Sequence, residues 1–346
     1  MPDAAHEGAS PATTLGPAPD ASDGAPVVAA PASAAQVATG PDARPLWRHL
    51  LKLARPTQWT KGAFVLVGPF YAVAAGTQEV AWTGAAGAFL AFGFGSSACY
   101  VLNDILDREA DRAHPRKCRR PIASGAVSLR TASGWGLALF VAALGSIFLA
   151  PVQARWWLAL TVFIYMLNVA AYSVHLKHRP IIDVISLASG FVLRVLGGCA
   201  AAVVHPSSWL LNCIFFLSMF LAFGKRLGER RTLGDAASSA RGVQAIYTDD
   251  LLRMSVVVTA VATLVTYAGY VQYNEDQYTR GFNLLWLTML PATYGLLRCI
   301  VLLERGEYDD PTELAGHDRP FQAAVMVFTL ITMAVIAAVH HGPAAT

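Results

Sequence analysis

Residues 83–111 read TGAAGAFLAFGFGSSACYVLNDILDREAD, and the two halves of that stretch require different solvents. The run 83–103 carries no charge and is close to the roughly 20 residues a helix needs to cross a bilayer. It passes directly into Asn103, Asp104, Asp107, Glu109 and Asp111, acids that hydrocarbon cannot solvate. On a helix, positions i, i+3 and i+7 share a face, so Asp104, Asp107 and Asp111 are expected to form a column of carboxylates where the helix reaches the membrane surface. Like charges so placed repel unless something positive sits among them. A hard divalent cation such as Mg²⁺, which takes one or two carboxylates together with phosphate oxygens and water, meets that need. The blander reading is a solvated acidic helix end paired with Arg108 and Arg112.

Comparable apolar runs recur outward from this stretch. Of the 346 residues, 55% are hydrophobic and 14% charged, against about 25% charged in soluble domains. Nine membrane spans are expected, at 59–77, 83–103, 132–150, 156–175, 183–203, 208–224, 252–272, 283–303 and 321–340. Backbone polar groups in lipid must be satisfied internally, and segments this long and continuously apolar do so as helices. The expected fold is an all-α membrane bundle of about nine transmembrane helices over 44–346. Residues 1–43 are rich in Ala, Pro, Ser, Thr and Gly and lack Lys and Arg. They are expected to form a disordered tail, since such composition buries too little apolar surface to offset ordering entropy. The tail has neither the basic start of a signal peptide nor the scattered Arg of a transit peptide.

All but four of the 26 Lys and Arg residues fall on the segment 44–61, on the loops after the second, fourth, sixth and eighth spans, or on their flanks. The exceptions are Arg155 and Arg280 on the opposite side and Arg194 and Arg298 within spans. The positive-inside rule then predicts a multi-pass protein of a bacterial inner membrane, with the N-terminus and these loops in the cytoplasm. The five cysteines are scattered without metal-ligand spacing and read as packing residues. The net charge of +3 sits at membrane flanks, which argues against a nucleic-acid partner.

The loops on the basic side carry further chemistry. After the acid column comes Arg112-Ala113-His114-Pro115-Arg116-Lys117-Cys118-Arg119-Arg120, and a metal-bound polyphosphate suits such a site of mixed sign. Lys117 and Arg120 are the expected phosphate ligands, although a purely topogenic basic loop remains the alternative. A second cluster holds Tyr172, Lys177 and Arg179, followed by Asp183 and, 11 residues on and on the same face, the intramembrane Arg194. Arg194 is read either as half of a structural ion pair or as a cavity residue. Gly224-Lys225-Arg226-Leu227-Gly228-Glu229 ends the sixth span, with Lys225 and Glu229 at i and i+4. The last loop offers Asp318-Arg319, either a ligand pair or ordinary solvated residues.

At these residues the chain resembles the UbiA superfamily of intramembrane prenyltransferases, whose acidic signature N-D-x-x-D-x-x-x-D is complete here. The resemblance covers nearly all of 44–346. It implies a UbiA-like bundle with Mg²⁺ held by Asp104, Asp107 and Asp111. A second Asp-rich motif belongs after the sixth helix in prenyltransferases of that superfamily, and Lys225-Arg226 stand there instead. The departure resembles one branch, the decaprenyl-phosphate phosphoribosyltransferases, through Arg55-Pro56-x-Gln58-Trp59-x-Lys61, His114-Pro115-x-Lys117, Arg120-Pro121-Ile122-Ala123, Tyr172-Ser173, Gly190-Phe191-x-Leu193-Arg194, Gly224-Lys225-Arg226-x-x-Glu229 and Asp318-Arg319. That resemblance implies transfer of 5-phosphoribose from phosphoribosyl diphosphate to a polyprenyl phosphate, on the way to lipid-linked arabinose and the cell wall. Asp104, Asp107, Asp111, Lys117 and Arg120 are then the catalytic set. Lys61, Asn103, Tyr172, Lys177, Asp183, Arg194, Lys225, Arg226, Glu229, Asp318 and Arg319 bind substrate. A prenyltransferase acting on a small acceptor is the runner-up and a transporter of an anionic solute the alternative of another class. Homo-oligomerisation is compatible with all three.

Overall fold

The computed structural model describes residues 45–74, 79–114, 117–233, 246–274, 282–306 and 316–341. The expected tail over 1–43 lies outside them. The described residues form helices α1 (Leu46–Ala54), α2 (Ala63–Ala74), α3 (Trp82–Leu106), α4 (Arg108–Ala113), α5 (Leu129–Ile147), α6 (Val152–Val174), α7 (Ile182–Ala202), α8 (Ser208–Leu233), α9 (Asp249–Tyr273), α10 (Met289–Arg305) and α11 (Arg319–His341), with no strand among them. Each of the nine expected spans is largely helical over its described residues. Seven segments are long and apolar enough to cross a membrane by length and composition: α3, α6, α7, α8, α9, Leu284–Arg305 and α11. The protein is therefore a multi-pass integral membrane protein.

The first expected span is not one continuous α-helix. It opens as a 3₁₀ segment, Pro56–Gly62, and becomes α2 only at Ala63. The eighth likewise opens as a 3₁₀ segment, Leu284–Thr288. One amphipathic helix escaped the search for spans because it is too short to cross a bilayer. This is α1, which buries His49, Leu53 and Ala54 and leaves Leu46, Trp47 and Leu51 outward. It is tied down by Trp135 Nε1 donating to the Leu50 carbonyl at 3.1 Å and by Ser97 Oγ donating to the Ala54 carbonyl at 2.6 Å.

Small residues set how closely the central helices approach. A Cβ on Gly198 of α7 would lie 1.8 Å from the Val65 carbonyl oxygen of α2, and one on Gly84 of α3 would lie 1.9 Å from the Ala201 oxygen of α7. With no hydrophobic force to drive helices together in lipid, such backbone approach is how they gain dispersion contact. α7 thus packs against α2, α3, α6 and α8. The C-terminal end of α8 meets the C-terminal end of α6 through Arg226 and Tyr172 and the N-terminal ends of α7 and α9 through the Arg226–Asp183 and Arg230–Asp249 pairs. An apolar cavity of about 400 Å³ lies among α8, α9, α10 and α11, lined by Leu217, Phe220, Thr263, Tyr267, Gly295 and Phe328 among others.

Candidate active site

One face of α3 carries Ser96, Tyr100 and Asp104 at four-residue spacing, and each meets an arginine from another element. Asp104 is 3% exposed and its Oδ1 accepts from Arg55 Nη2 at 2.6 Å and from Arg120 Nη1 at 3.1 Å. The same Arg120 nitrogen donates to Asp111 Oδ2 at 2.7 Å, and Asp111 is 2% exposed. Arg55, with φ 48° in the left-handed region, ends α1 and lays its guanidinium over the Tyr100 ring at 4.8 Å.

The column of three carboxylates does not converge. α3 ends at Leu106 and α4 starts at Arg108, with Asp107 between them accepting from Asn103 Nδ2 at 3.0 Å. At about 100° per residue, seven residues return a side chain to within about 20° of its start, whereas three leave it about 60° away. Asp104 and Asp111 therefore meet on one cation while Asp107 points to the neighbouring sector. Among the described residues no group of three or more His, Cys, Asp or Glu stands ready to hold a metal. The Asp104–Asp111 pair nevertheless fits a hard divalent cation, since its oxygens already face each other across a single cationic nitrogen and the donors are all oxygen.

A second cluster gathers at the ends of α6, α7 and α8. Arg226, 4% exposed, donates from Nε to Asp183 Oδ2 at 3.3 Å, from Nη1 to Glu229 Oε2 at 3.2 Å and from Nη2 to the Tyr172 hydroxyl at 3.2 Å. Arg226 and Glu229 thus form an ion pair at i,i+3 on this helix. Asp183 is fully buried, and its Oδ1 accepts from the Tyr247 hydroxyl at 2.7 Å. Burial and the Asp183 carboxylate beside it push the Tyr247 hydroxyl well above the usual tyrosine value, so it remains a donor.

Arg194 does not pair with Asp183. It lies three turns deeper in α7 and donates from Nη2 to Ser96 Oγ at 2.8 Å and to the Tyr165 hydroxyl at 2.7 Å, with its guanidinium 4.6 Å from the centre of the Tyr165 ring and 5.6 Å from that of Phe92. Among the described residues it has no carboxylate partner, although it is only 5% exposed. The reading as half of an Arg194–Asp183 ion pair is thereby set aside.

The other expected site residues are placed as follows. Lys61 sits exposed in the 3₁₀ segment before α2, Lys117 is exposed in a 3₁₀ turn after α4, and Lys177 and Lys225 are half-buried at the ends of α6 and within α8. Asp318 is engaged within the fold as the cap of α11, accepting from Phe321 N at 2.8 Å and from Arg298 Nη2 at 2.8 Å. Hydrogen bonds from Arg298 hold its carboxyl below the usual range. Arg319, the first residue of α11, is exposed. Arg55, Ser96, Tyr165 and Tyr247 were not singled out as site residues. Arg55 had a signal in the Arg55-Pro56-x-Gln58-Trp59 pattern, whereas Tyr247 had none.

Among the described residues, membrane-crossing helices with acids and arginines interlocked at their ends define a multi-pass membrane protein with polar clusters of mixed charge. The chain belongs to the UbiA prenyltransferase family, whose sequence profile matches residues 62–315. A decaprenyl-phosphate phosphoribosyltransferase of Mycolicibacterium smegmatis is 34% identical over 303 residues, 83% of this chain and 92% of its own length. Its counterpart from Corynebacterium glutamicum is 33% identical over 291 residues, 83% of this chain and 86% of its own. Among solved structures, a UbiA homologue from Archaeoglobus fulgidus bound to GPP and Mg²⁺ superposes with a TM-score of 0.61 at 18% identity, covering 84% of this chain and 99% of that one. The expected UbiA-like all-α fold is borne out, and the chain is a membrane-bound transferase.

Proposed function

We propose that this enzyme transfers 5-phosphoribose from phosphoribosyl diphosphate to a polyprenyl phosphate such as decaprenyl phosphate, with its site at the cytoplasmic face of a bacterial inner membrane. The observation that carries the reading is the second cluster. Where a prenyl-diphosphate enzyme of this superfamily is expected to place a second aspartate pair, this chain places Arg226, already engaged by Asp183, Glu229 and Tyr172. The whole-length kinship with phosphoribosyltransferases points the same way.

Asp104 and Asp111 would hold Mg²⁺, with Asp107 and its partner Asn103 completing the oxygen set from the adjacent sector. The metal supplies charge neutralisation on the diphosphate leaving group. Arg120 and Arg55, which hold these carboxylates in the structure, lie one side-chain movement from phosphate oxygens, and Lys117 is exposed beside them. Lys61, Lys177 and Lys225 add cationic charge for the donor's separate 5-phosphate. Tyr172, Asp183, Arg226 and Glu229 shape the opposite wall, and Arg194 is a buried cation available to an anionic oxygen.

In the reaction the bond between ribose C1 and the diphosphate oxygen breaks, and the diphosphate leaves with the electron pair. A bond forms between C1 and an oxygen of the acceptor phosphate, which is already anionic and needs no general base. Positioning and electrostatics then carry the catalysis. The test incubates purified enzyme with Mg²⁺, labelled phosphoribosyl diphosphate and polyprenyl phosphate. A phosphoribosylated lipid is expected. Turnover of isoprenyl diphosphate with none of phosphoribosyl diphosphate would overturn the assignment in favour of prenyl transfer.

A further inference from the structure

Asp183 is the meeting point of three helices, and the residue that connects it to the third is one the proposed chemistry does not use. Immediately before α7 the chain makes a tight turn in which Ile182 N donates to the Pro180 carbonyl at 2.7 Å. Its central residue, Ile181, has φ 67° and ψ −47°. This is a γ-turn of positive φ, the rare and strained form, and a β-branched residue there is a backbone outlier. Such conformations cost of order 1–3 kcal/mol and persist only where the surroundings over-determine them.

The surroundings here are the side chain of Tyr247, which is 1% exposed and arrives from just before α9. Its hydroxyl accepts from Ile181 N at 2.6 Å and donates to Asp183 Oδ1 at 2.7 Å. One oxygen thus fixes both the strained peptide and the carboxylate two residues beyond it. The ring is held in turn by an edge contact with Phe223, centroids 6.2 Å apart, on the same helix as Arg226. Without the hydroxyl, Ile181 N–H loses its partner, the turn is free to relax toward negative φ, and Asp183 is no longer presented to Arg226 from a fixed direction.

We infer that Tyr247 is a positioning residue: its hydroxyl latches the strained turn at Ile181 and thereby aims Asp183, and through it Arg226 and Glu229, at the donor. The inference rests on the proposed role of the Asp183–Arg226 cluster in donor binding. It makes a distinctive claim about Ile181, because glycine adopts positive φ without penalty and should make the latch largely dispensable.

The experiment compares Tyr247→Phe, Ile181→Gly and the double variant of the full chain in lipid nanodiscs. It measures KM and kcat for labelled phosphoribosyl diphosphate and the midpoint of thermal unfolding. Tyr247→Phe keeps the ring and should raise the donor KM about tenfold, the equivalent of one net hydrogen bond, with kcat changed much less. Ile181→Gly alone should resemble wild type, and the double variant should recover most of the lost affinity. A Tyr247→Phe enzyme with wild-type KM, or a double variant no better than Tyr247→Phe, overturns the latch. If wild type itself does not use this donor, the functional reading fails. The latch is then judged from unfolding midpoints, where a loss in Tyr247→Phe that Ile181→Gly does not restore would refute it.

Discussion

Replacing Arg120 by methionine removes the one cation that Asp104 and Asp111 share while roughly preserving side-chain bulk. Arg55 would still hold Asp104 at 2.6 Å, but Arg120 is the only ion-pair partner of Asp111 among the described residues. The cost is therefore dominated by a carboxylate with side-chain exposure of 3% left without a counter-charge. Breaking a buried pair from one side typically costs about 3–5 kcal/mol. Arg120 is itself 28% exposed, so water reaches one flank of the pair and about 3 kcal/mol is the better expectation. Asp111→Asn should suppress most of that loss, because an amide buried without its partner is far cheaper than a charge. The double variant should then be more stable than Arg120→Met alone, with a coupling of about 2 kcal/mol. Unfolding midpoints of the four proteins in one detergent measure this. Repeating the series in millimolar Mg²⁺ adds a second reading, since a divalent ion taking the vacated position should raise the Arg120→Met midpoint more than that of wild type. Additive substitutions, or an Arg120→Met protein as stable as wild type, would refute the reasoning.

Three further outcomes follow from the same geometry. Arg194→Met removes a buried charge that has no carboxylate partner, so it should leave unfolding unchanged or slightly raised while depressing transfer at least tenfold; a destabilised but fully active variant would contradict the assignment. Gly198→Ala forces α2 and α7 apart at the Val65 carbonyl, where a Cβ would lie 1.8 Å away, and should cost at least 2 kcal/mol in unfolding or abolish membrane accumulation. The Asp318 carboxyl is held below its unfolded value of about 3.9, so its contribution is complete above about pH 4 and is lost as pH falls through the lower folded value; Asp318→Ala should cost about 1–2 kcal/mol of unfolding free energy at neutral pH and flatten the acid limb of the stability curve.

The bundle was legible because lipid imposes a one-dimensional rule: about 20 apolar residues must come together in sequence, and each of the nine runs became helix. The departures have local causes. Pro56 opens a 3₁₀ segment where a first span was expected to be α-helical throughout, and Pro69 lies inside α2. Asp107 separates from Asp104 and Asp111 because three residues and seven residues differ in helical phase. What could not be read was contact between distant segments. Arg55 reaches Asp104 across 49 positions and Tyr247 reaches Asp183 across 64. Periodicity within one helix says nothing about which arginine crosses to which acid.

The charges of the two clusters also bear on the proposed use of a divalent cation. Asp104 and Asp111 share Arg120, with Arg55 also on Asp104, and Asp183 and Glu229 share Arg226, four carboxylates held by three guanidiniums. These clusters hold together without a ligand because each acid has a guanidinium, while Arg194 rests on hydroxyls and aromatic faces. Under the proposed function, a donor that brings several negative charges would meet these carboxylates as well as the cations. Binding such a donor requires either that arginines leave their carboxylates, exposing buried acids, or that a divalent cation arrive with the ligand and take those acids over. The second route would keep the acids paired, because Asp104 and Asp111 would hold the cation and Arg120, released from them, would be free to meet a phosphate oxygen. Under the proposed function, Arg120 and Arg55 would then hold the carboxylates in the resting enzyme and serve as phosphate ligands in the loaded one.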